Sequence, residues 1–370
     1  MAVTFYDELS KYSSFDFGGY LESVTSLQVE DILGKDYLTE YDFLALLSEQ
    51  ATDYLEPMAV KANEIKQKHF GNTISVFTPI YISNYCENMC AYCSFSRMHK
   101  ISRKHLSYDE IRQEAIRISE SGIRHILALT GESHSLASIE FLEKSMHILS
   151  EYFPSVSIEI YPLMEKEYEM LVAAGVDGFT MFQEVYDETL YHKYHNGGPK
   201  DKYRFRLEAP DRACASGMRT VGIGALMGLG QPSIESFFTG IHANYLQKTY
   251  PEVEISISFP RIRPLAGTFI PPYTVDDVHF VQTITATRIF LNNVGITIST
   301  RESETFRNSL LPLGVTRMSA GVSTAVGAHS YMPSTTQFEI ADCRSVDEMK
   351  SDLLHLGYQP VMQDWNSRFL

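Results

Sequence analysis

The chain has 370 residues, 44% hydrophobic and 21% charged, the make-up of an ordinary globular protein. Its 31 Lys and Arg against 46 Asp and Glu leave a formal charge of −15, which repels polyanions and offers no basic stripe for nucleic acid or anionic lipid, so small substrates and protein partners are favoured. Three of its five cysteines fall within eight residues, which suggests no disulfide framework and a reducing compartment. There is also no basic leader with an apolar core and no apolar run of about eighteen residues, so a cytoplasmic protein without membrane contact is expected.

Residues 1–70 read as a helical extension, with apolar positions at three-to-four spacing and a helix start at Thr39. From there to 322, β-rich and helix-period segments alternate, the pattern of parallel strands joined by helices. Eight strands are expected, beginning near 75, 124, 156, 178, 220, 254, 296 and 315, the number that closes a (β/α)8 barrel of the TIM type. Asn196 to Lys200, NGGPK, reads as a turn or mobile loop. The stretch 323–370 reads as a C-terminal α/β extension: a strand from Gln337, a helix opened by Ser345, and a last extended piece.

Directly after the first strand comes YISNYCENMCAYCSF, in which Cys86, Cys90 and Cys93 have the spacing C-x3-C-x2-C. Four thiolates normally hold a [4Fe-4S] cluster, so a compact set of three leaves one iron open to an external chelator, here S-adenosylmethionine. This spacing is the signature of the radical SAM family. Competing readings are a zinc site completed by His99, a redox pair Cys90/Cys93, and small buried hydrophobes. Tyr92 and the strand-like TISVFTPIYIS just before the trio argue for the cluster loop, because zinc knuckles seldom follow a buried strand.

In a closed barrel, chemistry gathers at the C-terminal strand ends, and the remaining candidates lie there. Thr130, Gly131 and Glu132 in ALTGE are placed to meet an ammonium group, or else form a helix-start turn with an acidic cap. Glu184, ending FQE, is placed to accept hydrogen bonds from ribose hydroxyls, with a surface salt bridge as the alternative. Arg206 is suited to clamp a carboxylate bidentately, with Arg204 and Arg212 as nearby alternatives. Arg301 in STRES and Ser319 in MSAG can together hold the carboxylate of an amino-acid substrate. Arg261 and Arg263 of FPRIRP share that rim, where one is expected to pair with an acidic neighbour, and Ser258 is a weaker pocket candidate.

Taken together, YISNYCENMCAYCSFS, ALTGE, FQEVYDETLYHKYHNGGPK, the LEAPDRA run, SFPRIRP, STRES and the QFEIADCRS tail resemble the tyrosine lyases of thiamin biosynthesis, the 2-iminoacetate synthases, over nearly the whole chain. The resemblance implies an α/β fold, a radical SAM barrel, in which S-adenosylmethionine is cleaved to methionine and a 5'-deoxyadenosyl radical. It further implies that hydrogen is taken from the amino group of L-tyrosine and the Cα–Cβ bond breaks to 2-iminoacetate (dehydroglycine) and 4-cresol. It assigns the cluster to Cys86, Cys90 and Cys93, adenosylmethionine contacts to Tyr92, Glu132, Glu184 and Arg206, and the substrate carboxylate to Arg301 and Ser319. Its implied partners are thiazole synthase, which receives the imine, and a flavodoxin or ferredoxin as electron donor.

Two relatives bound this expectation. One extends the same cleavage to carbon monoxide and cyanide but needs a second cluster on a cysteine-rich tail, and here only Cys343 lies near the final QPVMQDWNSRFL, so that activity is not expected. A tryptophan-cleaving relative differs only in pocket shape. A zinc-stabilised module that binds thiazole synthase without catalysis is the alternative of a different class.

Overall fold

The structure, a computed structural model, describes residues 4–263, 269–330 and 334–363. Pro264 of the FPRIRP run and the end of the tail, 364–370, lie outside the described residues. The eight expected strands are present: β1 Thr73–Ser83, β2 His125–Thr130, β3 Ser155–Glu159, β4 Gly178–Glu184, β5 Thr220–Ala225, β6 Glu254–Ser258, β7 Gly295–Ile298 and β8 Arg317–Ser319. They pair in parallel in chain order, and β1 pairs with both β2 and β8, which closes the barrel. A ninth strand, β9 Gln359–Val361, runs parallel to the start of β1, with Thr73 opposite Gln359. The pairing of β1 with β2 begins only at Thr78, so the first residues of β1 are open to β9.

Each barrel strand obeys a period of two. On the outside, Ile126 and Ala128, Val156 and Ile158, Phe179 and Met181, and Ile296 and Ile298 are buried beneath the helical layer. Inside, the alternate set includes His125, Ser157, Glu159, Thr180, Glu184, Ser256, Ser258, Thr297, Arg317 and Ser319, all lining one cavity. A barrel interior stocked with this many polar groups is built to hold something other than a packed core.

The helices start where their caps dictate. Ser107 forms a capping box with Glu110 ahead of Tyr108–Glu120, and Ser138, Asp276 and Ser303 cap Ile139–Ser150, Asp277–Phe290 and Glu304–Leu310. The N-terminal helices lie against the outer helices Pro232–Thr249 and Asp277–Phe290 through aromatic stacking: Phe5 on His242 at 3.8 Å between ring centres, and Phe43 on Phe290 at 4.6 Å. Gly240 makes the Phe43 contact possible, since a Cβ there would sit 2.4 Å from the Phe43 ring.

One expectation is corrected. The stretch from Gln337 is not a strand, although Phe338 and Ile340 alternate with polar neighbours as a strand would. Its backbone bonds go to the loops after β7 and β8 (Ala341 N to Thr300 O, 2.8 Å, and Gln337 N to Thr324 O, 3.1 Å), because a closed barrel has no free edge at this end to extend. The following helix, Val346–His355, does begin at Ser345. The segment around Arg206 forms two helices, Tyr203–Leu207 and Ala209–Ala215, separated at Glu208 ahead of Pro210, which cannot continue the first ladder. Of the two readings of NGGPK, the turn holds, packed against the cysteine loop. Among the described residues no helix is long and apolar enough to cross a membrane.

Candidate active site

One cavity of about 250 Å³ occupies the mouth of the barrel, and the residues assigned to the cluster, adenosylmethionine and the substrate carboxylate border it: Cys86, Cys90, Tyr92, Cys93, Glu132, Glu184, Arg206, Arg301 and Ser319. These positions come from β1, β2, β4, β7, β8 and the helix after β4, which only barrel closure brings to one place.

The cysteine loop is held from three sides. Glu87 N donates to Glu132 O at 2.7 Å, Met89 N to Gly197 O at 3.1 Å and Ala91 N to Tyr194 O at 3.1 Å. Asn88, between the first two cysteines, donates through Nδ2 to Glu132 Oε2 at 2.6 Å and accepts from Lys200 N at 2.9 Å. Gly197 and Gly198 have φ of 120° and 95°, and a Cβ on Gly198 would lie 2.7 Å from Asn88 Cα, so this turn needs glycine both for its backbone conformation and for close approach. Gly131 plays the second role on the other side: its Cβ would lie 2.4 Å from Tyr85 O and 3.1 Å from Cys86 Cβ. Arg103 ties down the end of the loop through Phe95 O and Ser96 O at 2.7 and 2.8 Å.

The donor set fits a cluster open at one iron. The three thiols border one cavity together with Gln337, whose Nε2 lies 3.9 Å from Cys93 Sγ. The remaining cysteines, Cys214 and Cys343, do not line it. Burial pushes the Cys90 thiol up to about 12, so a cationic cluster is what would hold it as a thiolate. Among the described residues no three Cys, His, Asp or Glu side chains close on a single point as a mononuclear metal site requires, and His99 does not line the cavity.

A charged wall stands beside the cysteines. Glu184 accepts from Lys200 Nζ at 2.7 Å and from Arg206 Nη2 at 3.5 Å, all three side chains being buried or nearly so. Its backbone has φ of 75°, the only non-glycine left-handed residue among those described, and the β4–β5 register slips between Phe182 and Glu184. The slip aims the carboxylate into the cavity. Burial raises its pKa, but Lys200 and Arg206 outweigh that and hold it below the usual range. Arg206 is engaged twice over, its Nε and Nη2 donating to Phe182 O at 2.9 and 2.6 Å.

Lys200 also donates to Tyr92 Oη at 3.1 Å, and Tyr92 Oη lies 2.6 Å from His195 Nε2. His195 Nδ1 faces the Tyr191 carbonyl at 2.7 Å and therefore carries the proton, so Nε2 accepts from the tyrosine. Burial, with Lys200 and Arg206 nearby, drives the His195 pKa down to about 2 and keeps the ring neutral.

On the opposite wall Arg301 lies with its guanidinium 3.5 Å from the centre of the Phe338 ring and donates to Arg261 O at 3.3 Å. The Ser319 carbonyl accepts from the fully buried Arg307 at 2.6 Å. Arg261 and Arg263 both pair with buried Glu302, the latter at 2.8 Å, so the expectation that one of them pairs with an acid holds for each. Ser258 lines the cavity. Arg204 forms an outer ion pair with Glu208 at 2.8 Å and Arg212 holds Leu163 O at 2.9 Å; neither reaches the cavity. Thr130 and Gly131 border it, but the Glu132 carbonyl is already taken by Glu87 N.

Sequence reading missed Asn88, Glu159, His195, Lys200, Gln337 and Phe338. Asn88 carried a signal, lying between two cysteines. The others come from segments distant in the chain and carry no local mark.

Comparison with known proteins bears on this geometry. Residues 80–235 match the Radical SAM superfamily model, and 258–359 match the Biotin and Thiamin Synthesis associated domain. The 2-iminoacetate synthase of Escherichia coli (strain K12) is 36% identical over 366 residues, 98% of this chain and 97% of that protein. The same enzyme from Salmonella typhimurium is 35% identical over the same shares. Among solved structures, the FeFe-hydrogenase maturase HydG from Carboxydothermus hydrogenoformans superposes with a TM-score of 0.86 at 30% identity, covering 98% of this chain and 84% of that one. Methylornithine synthase, at 19% identity and a TM-score of 0.73, shares the fold. The closed barrel, the cysteine loop at its mouth and identity maintained from end to end agree: the chain belongs to the 2-iminoacetate synthase family of the radical SAM superfamily.

Proposed function

We propose that the protein is a radical SAM 2-iminoacetate synthase, cleaving the Cα–Cβ bond of L-tyrosine to 2-iminoacetate and 4-cresol with S-adenosylmethionine converted to methionine and 5'-deoxyadenosine. The observation that carries the reading is that the cysteine trio and the Arg301/Ser319 pair border one cavity, in a chain 36% identical to a 2-iminoacetate synthase over 98% of its length. A [4Fe-4S] cluster on Cys86, Cys90 and Cys93, with S-adenosylmethionine at its open iron, supplies the 5'-deoxyadenosyl radical when bound.

The chain's own residues prepare for that chemistry. Glu132, Glu184, Arg206 and Tyr92 offer the nucleoside and amino-acid parts of adenosylmethionine a preformed polar wall, rigid because each is already bonded to a neighbour. Arg301 and Ser319 receive the substrate carboxylate. Phe338 and Gln337, from the segment laid over the mouth, cover the reacting space and limit water, which destroys an imine product.

Thiazole synthase as acceptor of the imine, a flavodoxin or ferredoxin as reductant, and a cytoplasmic location belong to the same reading; the match to a thiamin-associated domain supports the first. The division into a helical extension 1–70, a barrel 71–322 and a C-terminal extension 323–370 is proposed on the element order. Anaerobic turnover of the reconstituted protein with L-tyrosine, S-adenosylmethionine and a low-potential reductant tests the activity. 4-Cresol and 5'-deoxyadenosine in step are expected. An intact four-iron spectrum with no cresol defeats the reading, and cleavage of tryptophan alone moves the enzyme to another aromatic substrate.

A further inference from the structure

Within the cavity, carboxylates are otherwise engaged. Glu132 accepts from Asn88, and Glu184 accepts from Lys200 and Arg206. Glu159, the last residue of β3, lines the same cavity, yet among the described residues its carboxylate has no hydrogen bond and no ion pair. Arg301 is its mirror image: a cavity guanidinium that, among the described residues, bonds one carbonyl and pairs with no carboxylate.

The strand order runs β3, β4, β5, β6, β7, so in a closed ring of eight β3 and the loop after β7 approach the cavity from opposite sides. Each group lies in the other's field, yet no ion pair joins them. A carboxylate and a guanidinium facing each other across a gap in a buried cavity are unfavourable until something neutralises both, and a zwitterion does so.

We propose that Glu159 receives the α-ammonium group of the amino-acid substrate and removes one of its protons, opposite Arg301 on the carboxylate; the proposal rests on the tyrosine-lyase reading above. The step is a proton transfer only: an N–H bond of the ammonium breaks, an O–H bond forms on Glu159, and the products are a neutral amine and a carboxylic acid. No electrons change hands. A neutral amine, with its lone pair free, loses a hydrogen atom to a radical more readily than an ammonium does.

The electrostatic setting suits the task. Burial, and then Glu184 on β4, pushes the Glu159 carboxyl up to about 7 against the opposing pull of Arg301, Arg206 and Lys200. Tyr81 of β1, which also faces it, is held protonated by burial. A base with a pKa near neutrality takes and returns protons efficiently.

The test uses the full-length reconstituted enzyme and two variants, Glu159→Gln and Glu159→Asp. Calorimetry in the presence of S-adenosylmethionine compares L-tyrosine with 3-(4-hydroxyphenyl)propanoate, which lacks the amino group. Wild type should prefer tyrosine by at least about tenfold and Glu159→Gln by less than about twofold, the loss of one charge-assisted contact. Cresol formation by wild type should rise with pH through about 7. Glu159→Gln should be down by about 10² or more at neutral pH and recover toward high pH as free amine appears, whereas a merely structural role would lower activity at all pH values alike.

Unchanged preference and an unchanged pH profile in Glu159→Gln overturn the proposal. If that variant loses its four-iron absorbance, Glu159→Asp decides: a pH midpoint identical to wild type overturns the proposal, and a shifted one supports it. Wild type that forms no cresol defeats the lyase reading itself, while wild-type turnover with an unaffected Glu159→Gln defeats only the role of Glu159.

Discussion

Glu184 sits between two cations in a backbone conformation that few non-glycine residues adopt, and both facts have measurable consequences. Glu184→Gln strands Lys200 and Arg206 without their counter-charge, and loss of one partner from a buried cluster costs about 3–5 kcal/mol. Chemical denaturation should show a loss of that size; a change under about 1 kcal/mol would mean that water already screens the cluster. The pH signs of the two cavity carboxylates are opposite. Glu184, held low in the folded state, contributes stability above its unfolded pKa that disappears as acid protonates it. Glu159, raised from 4.5 to about 7, contributes stability below 4.5 that is lost as pH rises through about 7. Glu159→Gln should therefore melt higher than wild type at pH 8 and no higher near pH 4.5, which differential scanning calorimetry can check. Arg301→Ala, which removes the guanidinium assigned to the substrate carboxylate, should weaken tyrosine binding by about 2–5 kcal/mol while four-iron absorbance stays unchanged; equal affinity in titration calorimetry would discredit that assignment.

Among the elements, the cysteine loop shows how close packing substitutes for regular structure. It owes its shape to Gly131 on one flank and Gly198 on the other, each leaving room where a methyl group would meet main-chain atoms. Gly131→Ala should cost about 1–3 kcal/mol from overpacking and displace Cys86. The expected readout is lower iron content after reconstitution, and full iron with native stability would show that the loop can yield. The strands and the cysteine trio were legible in the sequence because both signals are local: a period of two between helix-period segments, and three thiols in one short run. Residues such as Lys200, His195 and Glu159 were illegible because their meaning arises only when β3, β4 and the turn after Tyr194 come together over the mouth. QFEIADC misled because alternation marks a segment with one covered face and one open face, and a segment laid over barrel loops alternates as a strand does.

At the scale of the whole molecule, the C-terminal stretch is bound to the barrel by charge. Asp342 is buried between Arg307 and Arg344, the latter at 2.6 Å; burial opposes its ionisation, but the arginines prevail and hold its pKa below the usual range. Arg307 in turn grips the Ser319 carbonyl, so the charge cluster, the mouth covering and the proposed carboxylate site form one connected piece. Asp342→Asn should destabilise the protein by about 3–5 kcal/mol and raise the Michaelis constant for tyrosine along with it. Loss of stability with an unaltered Michaelis constant would separate the cluster from the site.

The ninth strand carries a consequence for biogenesis. Because Gln359–Val361 lies against Thr73–Ser75, while Arg317–Ser319 flanks the other side of the same strand, the earliest barrel strand off the ribosome must wait for the latest segments before its edges are covered. Until then it presents unpaired amide and carbonyl groups beside apolar Ile74 and Val76, a template for intermolecular association. Such long-range closure is intrinsically slow, so nascent chains of this protein should depend on chaperones, and their yield in a cell-free translation system should rise when a chaperonin is supplied.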